Sequence, residues 1–242
     1  MIVQNLKDCV VVITGGSSGF GKAMAQRFHE EGSKVVITGH REQRLKSAQK
    51  DVGNIEWVKA DVTRPEDWAK LASQLIDRYG RVDVLINNAG GGVSIKETVE
   101  QSIEDIDRIL SLNLNSVIYG CKIFGCIMKE QRQGTIINIS SACANEAWPN
   151  FSVYAAAKAG VVSFSKGLYV ELRPHNIRVT VLVPGAGRTS FSKNAGIPEP
   201  QSPFKLEGVH IAEAAVHICR LPQDIMVEEY RIWGTDQEVI PL

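Results

Sequence analysis

Short apolar runs rich in β-branched residues alternate with helical stretches along this chain, and this alternation limits the possible folds more than any other feature. The apolar runs predict seven strands, at Val10–Thr14, Lys34–Thr38, Ile55–Lys59, Val82–Asn87, Thr135–Ser140, Arg178–Val183 and Glu229–Ile232. Helices are predicted between them, at Gly21–Glu31, Glu42–Asp51, Glu66–Tyr79, Ile103–Lys129 with one break, Ser152–Leu172 and Val209–Leu221. Near-continuous apolar strands are typical of burial on both faces. The pattern therefore predicts an α/β fold of Rossmann type, a doubly wound parallel sheet of about seven strands flanked by helices.

The length of 242 residues suits a single domain over 1–242. The 27 basic and 27 acidic side chains balance, which argues against a nucleic-acid partner bound through a strong basic field. No apolar run approaches the roughly 20 residues that a membrane helix needs, so no membrane span is expected. The stretch 186–208 is rich in Gly and Pro, and too little chain follows it for a second domain, so it is predicted to be a loop or lid.

Cysteine and histidine spacing argues against disulfides and metals. The five cysteines are an odd number without a CxxC pair, and the five histidines show no ligand spacing. We expect no metal site and reduced thiols, which favours a cytoplasmic location.

A glycine-rich turn follows the first predicted strand and precedes the first helix. Its glycines are Gly15, Gly19 and Gly21. Glycines allow the backbone to approach a pyrophosphate closely, and a helix N-terminus offers unpaired N–H groups to it. The spacing differs from GxGxxG and from a P-loop. Because a strand precedes the turn and a helix follows it, a nucleotide site is favoured over a simple tight turn.

The tip of the second strand indicates which dinucleotide is bound. An acid that bonds the adenosine ribose is common there in NAD sites, but this chain has His40 and Arg41. A guanidinium suits a 2′-phosphate, so NADP(H) is predicted over NAD(H). The alternative is a solvated basic helix start. Asp61, after the third strand, is placed either to meet the adenine or to serve as an ordinary turn residue.

Tyr154 and Lys158 lie four residues apart on a predicted helix and therefore share a face. A neighbouring ammonium lowers the pKa of a phenol, which then exchanges protons near neutral pH. YxxxK also arises by chance as a surface pair, but its context favours a site. Ser141 lies thirteen residues upstream at the end of a strand, Asn113 lies in the long helical stretch, and 87–90 closes the fourth strand.

With these motifs in order, residues 6 to 192 resemble the short-chain dehydrogenase/reductase family in its compact form. The matching pieces are Thr14–Gly21, Asp61, Asn87–Gly90, Asn113, Ser141, Tyr154 with Lys158, and Pro184-Gly185 leading to Thr189. The resemblance implies an NAD(P)-dependent oxidoreductase, in which hydride passes between the cofactor and a ketone, aldehyde or hydroxy-acid-type small molecule.

The resemblance also implies residue roles. Tyr154 would be the general acid or base and Ser141 the donor to the substrate carbonyl. Lys158 would bind the nicotinamide ribose and lower the pKa of the tyrosine, and Asn113 would hold a proton-carrying water. The implied cofactor-binding set is Gly15, Ser17, Ser18, Gly19, Phe20, Gly21, His40, Arg41, Asp61, Val62, Asn87, Ala89, Gly90, Tyr154, Lys158, Pro184, Gly185 and Thr189.

The substrate is expected between Tyr154 and the 186–208 loop. Candidate lining residues are Ser141, Cys143, Trp148, Phe151 and Phe191, of which Trp148 and Phe151 equally suit packing. Arg188 could meet a substrate carboxylate or lie on the surface. The tail departs from the family's common Val-Asp-Gly-Gly ending and looks more like the branch that acts on hydroxy acids and diverse alcohols with NADP. Family members are commonly homo-oligomers, so a tetramer or dimer is expected.

Three other functions fit parts of the pattern. One is an NADH-dependent dehydrogenase of the same family. Another is a non-catalytic dinucleotide sensor or scaffold, which would not need an intact set of Ser141, Tyr154 and Lys158. A nucleotide-sugar epimerase or dehydratase shares the tyrosine–lysine pair but usually carries a larger C-terminal domain.

Overall fold

The computed structural model describes residues 4–197, 206–235 and 237. Seven parallel strands form one sheet in the order β3-β2-β1-β4-β5-β6-β7. They are β1 (Val10–Thr14), β2 (Lys34–Gly39), β3 (Glu56–Lys59), β4 (Val84–Asn87), β5 (Gly134–Ile139), β6 (Ile177–Pro184) and β7 (Glu229–Ile232). The predicted doubly wound parallel sheet is confirmed. The strand order reverses between β1 and β4, and ligands of such sheets bind at the carboxyl ends of the strands near this reversal.

Eight α-helices are present in the described part of the chain. They are α1 (Gly19–Glu30), α2 (Glu42–Val52), α3 (Pro65–Tyr79), α4 (Ile103–Leu110), α5 (Ser116–Gln131), α6 (Ser152–Leu172), α7 (Phe191–Ala195) and α8 (Gly208–Arg220). Helices α1, α2 and α8 cover one face of the sheet, where Phe28 and Ile211 are fully buried. Helices α3, α5 and α6 cover the other, where Trp68 packs edge-on against Phe124 at 6.1 Å between ring centroids. Burying a side chain such as Phe contributes about 1.5–3 kcal/mol, so both layers stabilise the sheet.

The predicted break in the long stretch after β4 is a single π-helical turn at Ser111–Asn115, which separates α4 from α5. Such turns are frequent at functional sites. Among the described helices, the continuous run Ile103–Gln131 is long and apolar enough to span a membrane, contrary to the expectation that no run approaches this length. Phe124 and Met128 of α5 lie in the buried cluster beside the sheet, so packing within the protein accounts for this apolar character.

The structure differs from the prediction at the start of β4 and within the loop at 186–208. Strand β4 begins at Val84 and not at Val82, because the backbone of Val82 pairs with the Gln131 side chain at 3.0 Å and 2.9 Å. The predicted loop or lid at 186–208 contains the short helix α7, which sequence periodicity did not indicate. Residues 198–205 of this loop lie outside the described residues.

Candidate active site

A cleft with a volume of about 960 Å³ runs along the carboxyl ends of the central strands. The segments that follow β1, β2, β3, β4, β5 and β6 all contribute to its walls. Most of the residues predicted for cofactor and substrate binding line it. They are Gly15, Ser17, Ser18, Gly19, Phe20, His40, Arg41, Asp61, Val62, Ala89, Gly90, Ser141, Cys143, Trp148, Phe151, Tyr154, Lys158, Pro184, Gly185, Thr189 and Phe191.

The glycine-rich turn forms the floor at one end of the cleft. Gly15 and Gly19 have φ of +64° and +52°, a conformation that favours glycine. A Cβ at Gly15 would lie only 3.0 Å from the Cα of Ala89, so a side chain would also crowd the floor. Helix α1 begins at Gly19, and Ser18 at its N-cap accepts no hydrogen bond through its side chain. The first N–H groups of α1 are therefore free of a side-chain cap and suit an anion.

Basic side chains surround the cleft where β2 ends. His40 and Arg41 are exposed there, and Arg44, one turn into α2, lines the same wall. Within the described part of the chain, neither the Arg41 nor the Arg44 guanidinium is paired with a carboxylate. Arg44 was not predicted, although its position three residues after Arg41 is a signal that could have been used. Across the cleft, Asp61 accepts hydrogen bonds from the backbone and hydroxyl of Thr63, so it is also a turn residue.

Tyr154 and Lys158 lie in the first turns of α6 and are almost fully buried, at 7% and 3% exposure. The Lys158 Nζ donates a hydrogen bond of 3.0 Å to the carbonyl of Ile139 and lies 5.8 Å from the centre of the Tyr154 ring. Ser141 lies beside them after β5 and lines the cleft. The hydroxyl of the neighbouring Ser140 donates instead to the Lys158 carbonyl at 2.8 Å. The choice of Ser141 over Ser140 is therefore consistent with the geometry.

Burial controls the ionisation of this group. Desolvation raises the pKa of Tyr154 well above its usual range, the Cys143 thiol adds to this effect, and the Ser141 hydroxyl partly offsets it. Desolvation lowers the pKa of Lys158 from 10.5 to about 8. Burial is therefore the largest influence on the pKa of Tyr154. The expectation that Lys158 lowers this pKa stays a prediction.

Asn113 lies in the π-turn and is fully buried outside the cleft wall. Its Oδ1 accepts from the Gly91 N–H at 2.9 Å, and its Nδ2 donates to the carbonyls of Gly91 and Ile109, both at 3.0 Å. A Cβ at Gly90 would lie 2.9 Å from that Oδ1 and 3.2 Å from the Lys158 Nζ. The side chain therefore holds the loop after β4 against α4, and its Oδ1 and the Lys158 Nζ approach Gly90 from the same side.

Two predicted cofactor residues, Asn87 and Gly21, do not line the cleft. The Asn87 side chain is buried, and its Nδ2 donates to Asn138 Oδ1 at 2.8 Å, so it belongs to the packing between β4 and β5. Asn88 lines the cleft instead and donates to the carbonyl of Thr14 at 2.8 Å. At Gly21 a Cβ would overlap the Asn88 amide, which explains the glycine as a close-packing position. The side-chain alternation along β4 directs Asn87 away from the cleft.

Aromatic side chains form the wall beside Tyr154. The Phe191 ring from α7 lies edge-on to Tyr154 at 5.5 Å between centroids and parallel to Phe151 at 6.3 Å. Trp148 lines the same end of the cleft, and its ring packs beside the Trp233 ring with 6.4 Å between the ring centroids. All four predicted aromatic or thiol substrate residues are thus in the cleft.

Arg188 does not line the cleft, because its Nη1 lies 3.4 Å from Glu207 in an exposed ion pair. The suggestion that it meets a substrate carboxylate is therefore not supported by its position.

Sequence reasoning missed a residue from the tail. The Gln237 Oε1 accepts a hydrogen bond of 2.6 Å from the Ala186 N–H, and Gln237 lines the cleft. No local pattern signals this contact, since 51 residues separate the partners. The pairing of β7 with β6 brings this part of the tail close to the segment after β6.

All five cysteines are free thiols. Among the described residues, no three His, Cys, Asp or Glu side chains form a group that could hold a metal ion. The expectation that the protein has no metal site stays a prediction.

Comparison with known proteins decides the family. A sequence profile described as short chain dehydrogenase matches residues 9–199. The chain belongs to this family. An uncharacterized oxidoreductase from Staphylococcus saprophyticus is 33% identical over 232 residues, which cover 94% of this chain and 97% of the relative. Because such relatives are named oxidoreductases and the structural neighbours are dehydrogenases, the chain is an oxidoreductase of this family.

Solved structures show the same fold over almost the whole chain. A serine dehydrogenase in its closed form, complexed with NADP⁺, has a TM-score of 0.89 at 28% identity and covers 96% of this chain and 98% of its own. An alcohol dehydrogenase from the archaeon Thermococcus sibiricus, complexed with 5-hydroxy-NADP, has a TM-score of 0.87 at 26% identity and covers 96% and 99%.

Proposed function

We propose that the chain is an NADP(H)-dependent oxidoreductase that interconverts a ketone or aldehyde and the corresponding alcohol. One observation carries the proposal. A single cleft has at one end the guanidinium groups of Arg41 and Arg44, which have no carboxylate partner among the described residues. It also holds the uncapped N-terminus of α1 and, at the other end, Ser141, Tyr154 and Lys158. A dinucleotide has a matching order of groups, with adenosine at one end, the pyrophosphate in the middle and the reactive nicotinamide at the other end.

The residues present fit a dinucleotide. The backbone at Gly15 and Gly19 leaves room that a side chain would fill, and the N-terminus of α1 faces this space. Pro184, Gly185 and Thr189 also line the cleft, and Thr189 lies beside the glycine turn, 3.6 Å from where a Cβ at Gly19 would be. When bound in this cleft, the nicotinamide supplies or accepts the hydride.

The basic side chains after β2 support a preference for NADP(H). Arg41 and Arg44 offer two guanidinium groups to a 2′-phosphate. The first acid after β2, Glu42, pairs with Lys46 and does not line the cleft. The serine dehydrogenase and the archaeal alcohol dehydrogenase described above were both solved with NADP-type ligands, which supports the same preference. The competing possibility within this family is an enzyme that prefers NADH.

The catalytic roles follow from the ionisation of the buried group. The raised pKa of Tyr154 keeps its phenol protonated at neutral pH, so it can donate a proton to the substrate oxygen during reduction. Ser141 would hold that oxygen, and both hydroxyls would stabilise the negative charge that develops on it. Lys158, with a pKa of about 8, is mostly charged at pH 7 and would bind the nicotinamide ribose. Asn113 would fix the neighbouring loop, and its role in holding a water stays a prediction.

Equilibrium binding followed by turnover tests the proposal. NADPH and NADH are titrated against the purified protein by cofactor fluorescence, and tighter binding of NADPH is expected. Tyr154→Phe should bind NADPH as the wild type does and lose nearly all turnover in a carbonyl panel. Binding of neither dinucleotide, or substantial turnover by Tyr154→Phe, would contradict the proposal.

The assembly and location of the protein stay predictions. A homotetramer or homodimer is expected from the family, and light scattering after size-exclusion chromatography measures its mass. A cytoplasmic location is expected from the pattern of cysteines.

A further inference from the structure

The wall that faces Tyr154 is made of aromatic rings from separate segments of the chain. Phe151 lies at the start of α6, Phe191 at the start of α7 and Trp148 between β5 and α6. Each ring is partly buried and lines the cleft, so each presents ring surface to a bound molecule. Phe191 contacts both Phe151 and Tyr154, with ring centroids at 6.3 Å and 5.5 Å. Aromatic walls of this kind favour apolar or planar groups through burial and edge-to-face contact.

The surroundings of Tyr154 are also apolar behind this wall. Tyr154 lies in a cluster with the buried side chains of Ile109 and Val153, and Phe151 and Cys143 pack against it. The raised pKa of the Cys143 thiol, caused mainly by burial, indicates that this part of the cleft does not favour a negative charge.

Cations are distributed unevenly along the cleft. Among the lining residues in the described ranges, His40, Arg41 and Arg44 are at the end near β2. Lys158 is the one lysine or arginine beside Tyr154 in this set, and its Nζ is buried and bonded to Ile139. Arg188 is paired with Glu207 outside the cleft. A substrate carboxylate next to the reacting carbonyl would thus lose water without gaining a free cation from the residues that the structure describes, which costs far more than burying a neutral group.

We propose that the substrate is an uncharged ketone, or the corresponding secondary alcohol, that carries a ring or bulky apolar group beside the reacting carbon, and that hydroxy acids and amino acids are poor substrates. This inference rests on the proposed function. In the reductive direction the carbonyl carbon gains hydride from NADPH, the oxygen gains a proton through Tyr154, and the cofactor leaves oxidised. The hydroxy-acid class suggested by the sequence of the tail is thereby the less favoured one.

Two matched substrate pairs separate charge from shape. Methyl benzoylformate and benzoylformate share a skeleton but differ in charge, and methyl pyruvate lacks the ring. With NADPH, we expect kcat/KM for methyl benzoylformate to be about 100-fold higher than kcat/KM for benzoylformate. It should also be about tenfold higher than kcat/KM for methyl pyruvate. Equal or higher kcat/KM for the acid would overturn the inference. The variant Lys205→Met removes the lysine of the segment 198–205, and the same ester preference is expected in it.

Substitutions in the wall test where the ring is recognised. Phe151→Leu and Phe191→Leu keep an apolar side chain but remove the aromatic face, and each should reduce the roughly tenfold preference for the ring by about threefold. Their Kd for NADPH should stay as in the wild type. Trp57→Leu is the matched control, because Trp57 is a partly buried aromatic residue on β3 outside the cleft wall. If neither phenylalanine variant changes the ring preference, the wall does not select the substrate.

The outcomes distinguish this inference from the function on which it rests. Reduction of benzoylformate in preference to its ester leaves the oxidoreductase function standing and overturns the substrate class alone. If NADPH is not oxidised with any compound of a panel that includes both keto acids and neutral ketones, the proposed function fails together with the inference.

Discussion

Lys158 offers a direct test of how burial tunes the active site. Only 3% of the residue is exposed, and in the described structure the Nζ has a single hydrogen-bond acceptor, the carbonyl of Ile139. Desolvation lowers its pKa from 10.5 to about 8, which corresponds to a penalty of about 3 kcal/mol for holding the ammonium in the folded protein. The penalty is present in full below about pH 8 and is removed as pH rises towards 10.5, because there the unfolded chain binds more protons than the folded one.

The variant Lys158→Met removes the charged group and keeps much of its apolar stem. We expect it to be more stable than the wild type at pH 7, and this advantage should shrink by about 2 kcal/mol between pH 7 and pH 9.5. Urea unfolding of both proteins at four pH values across this range measures the difference. Lys70→Met, at an exposed position on α3, is the control and should follow the pH dependence of the wild type. A constant or growing difference between Lys158→Met and the wild type would refute the reasoning.

Three further predictions concern other parts of the molecule. Arg41→Ala and Arg44→Ala should each raise the Kd for NADPH by about tenfold and leave that for NADH unchanged in fluorescence titrations; equal weakening of both would contradict a 2′-phosphate contact. Arg178 is buried and donates to backbone carbonyls and one hydroxyl, so Arg178→Leu should lower the free energy of unfolding by about 3 kcal/mol in urea titrations, and an unchanged midpoint would disprove this. Gln237→Leu removes the acceptor of the Ala186 N–H and should raise KM for NADPH several-fold with little loss of stability; an unaltered KM would exclude a role in shaping the cleft.

The sequence predicted most of the fold because its signals are local. Strand periodicity and burial agree along β1, where all five residues are buried, and α6 begins and ends at the predicted residues. Tyr154 and Lys158 were found because helical spacing alone places them on one face. Ser141 was distinguished from Ser140 by its distance along the chain from the tyrosine, and the hydrogen bond from Ser140 to the Lys158 carbonyl is consistent with this choice.

Other features depend on contacts that no local pattern encodes. Asn87 and Asn88 are adjacent and chemically identical, and only the direction of β4 decides that Asn88 lines the cleft. The rise that burial causes in the pKa of Tyr154 was not predicted, because the desolvation cost depends on everything packed around the phenol. Gln237 reaches the cleft through the pairing of β6 with β7.

The sequence by itself determined the parallel sheet, the position of the glycine turn and the identity of the residues around Tyr154, because periodicity and short-range spacing are properties of the chain. Only the tertiary structure decided which of these side chains face the cleft, how strongly burial shifts their proton affinities and which cations remain free to meet a substrate. These properties depend on the distances and the exclusion of water that arise when segments far apart in the chain pack together.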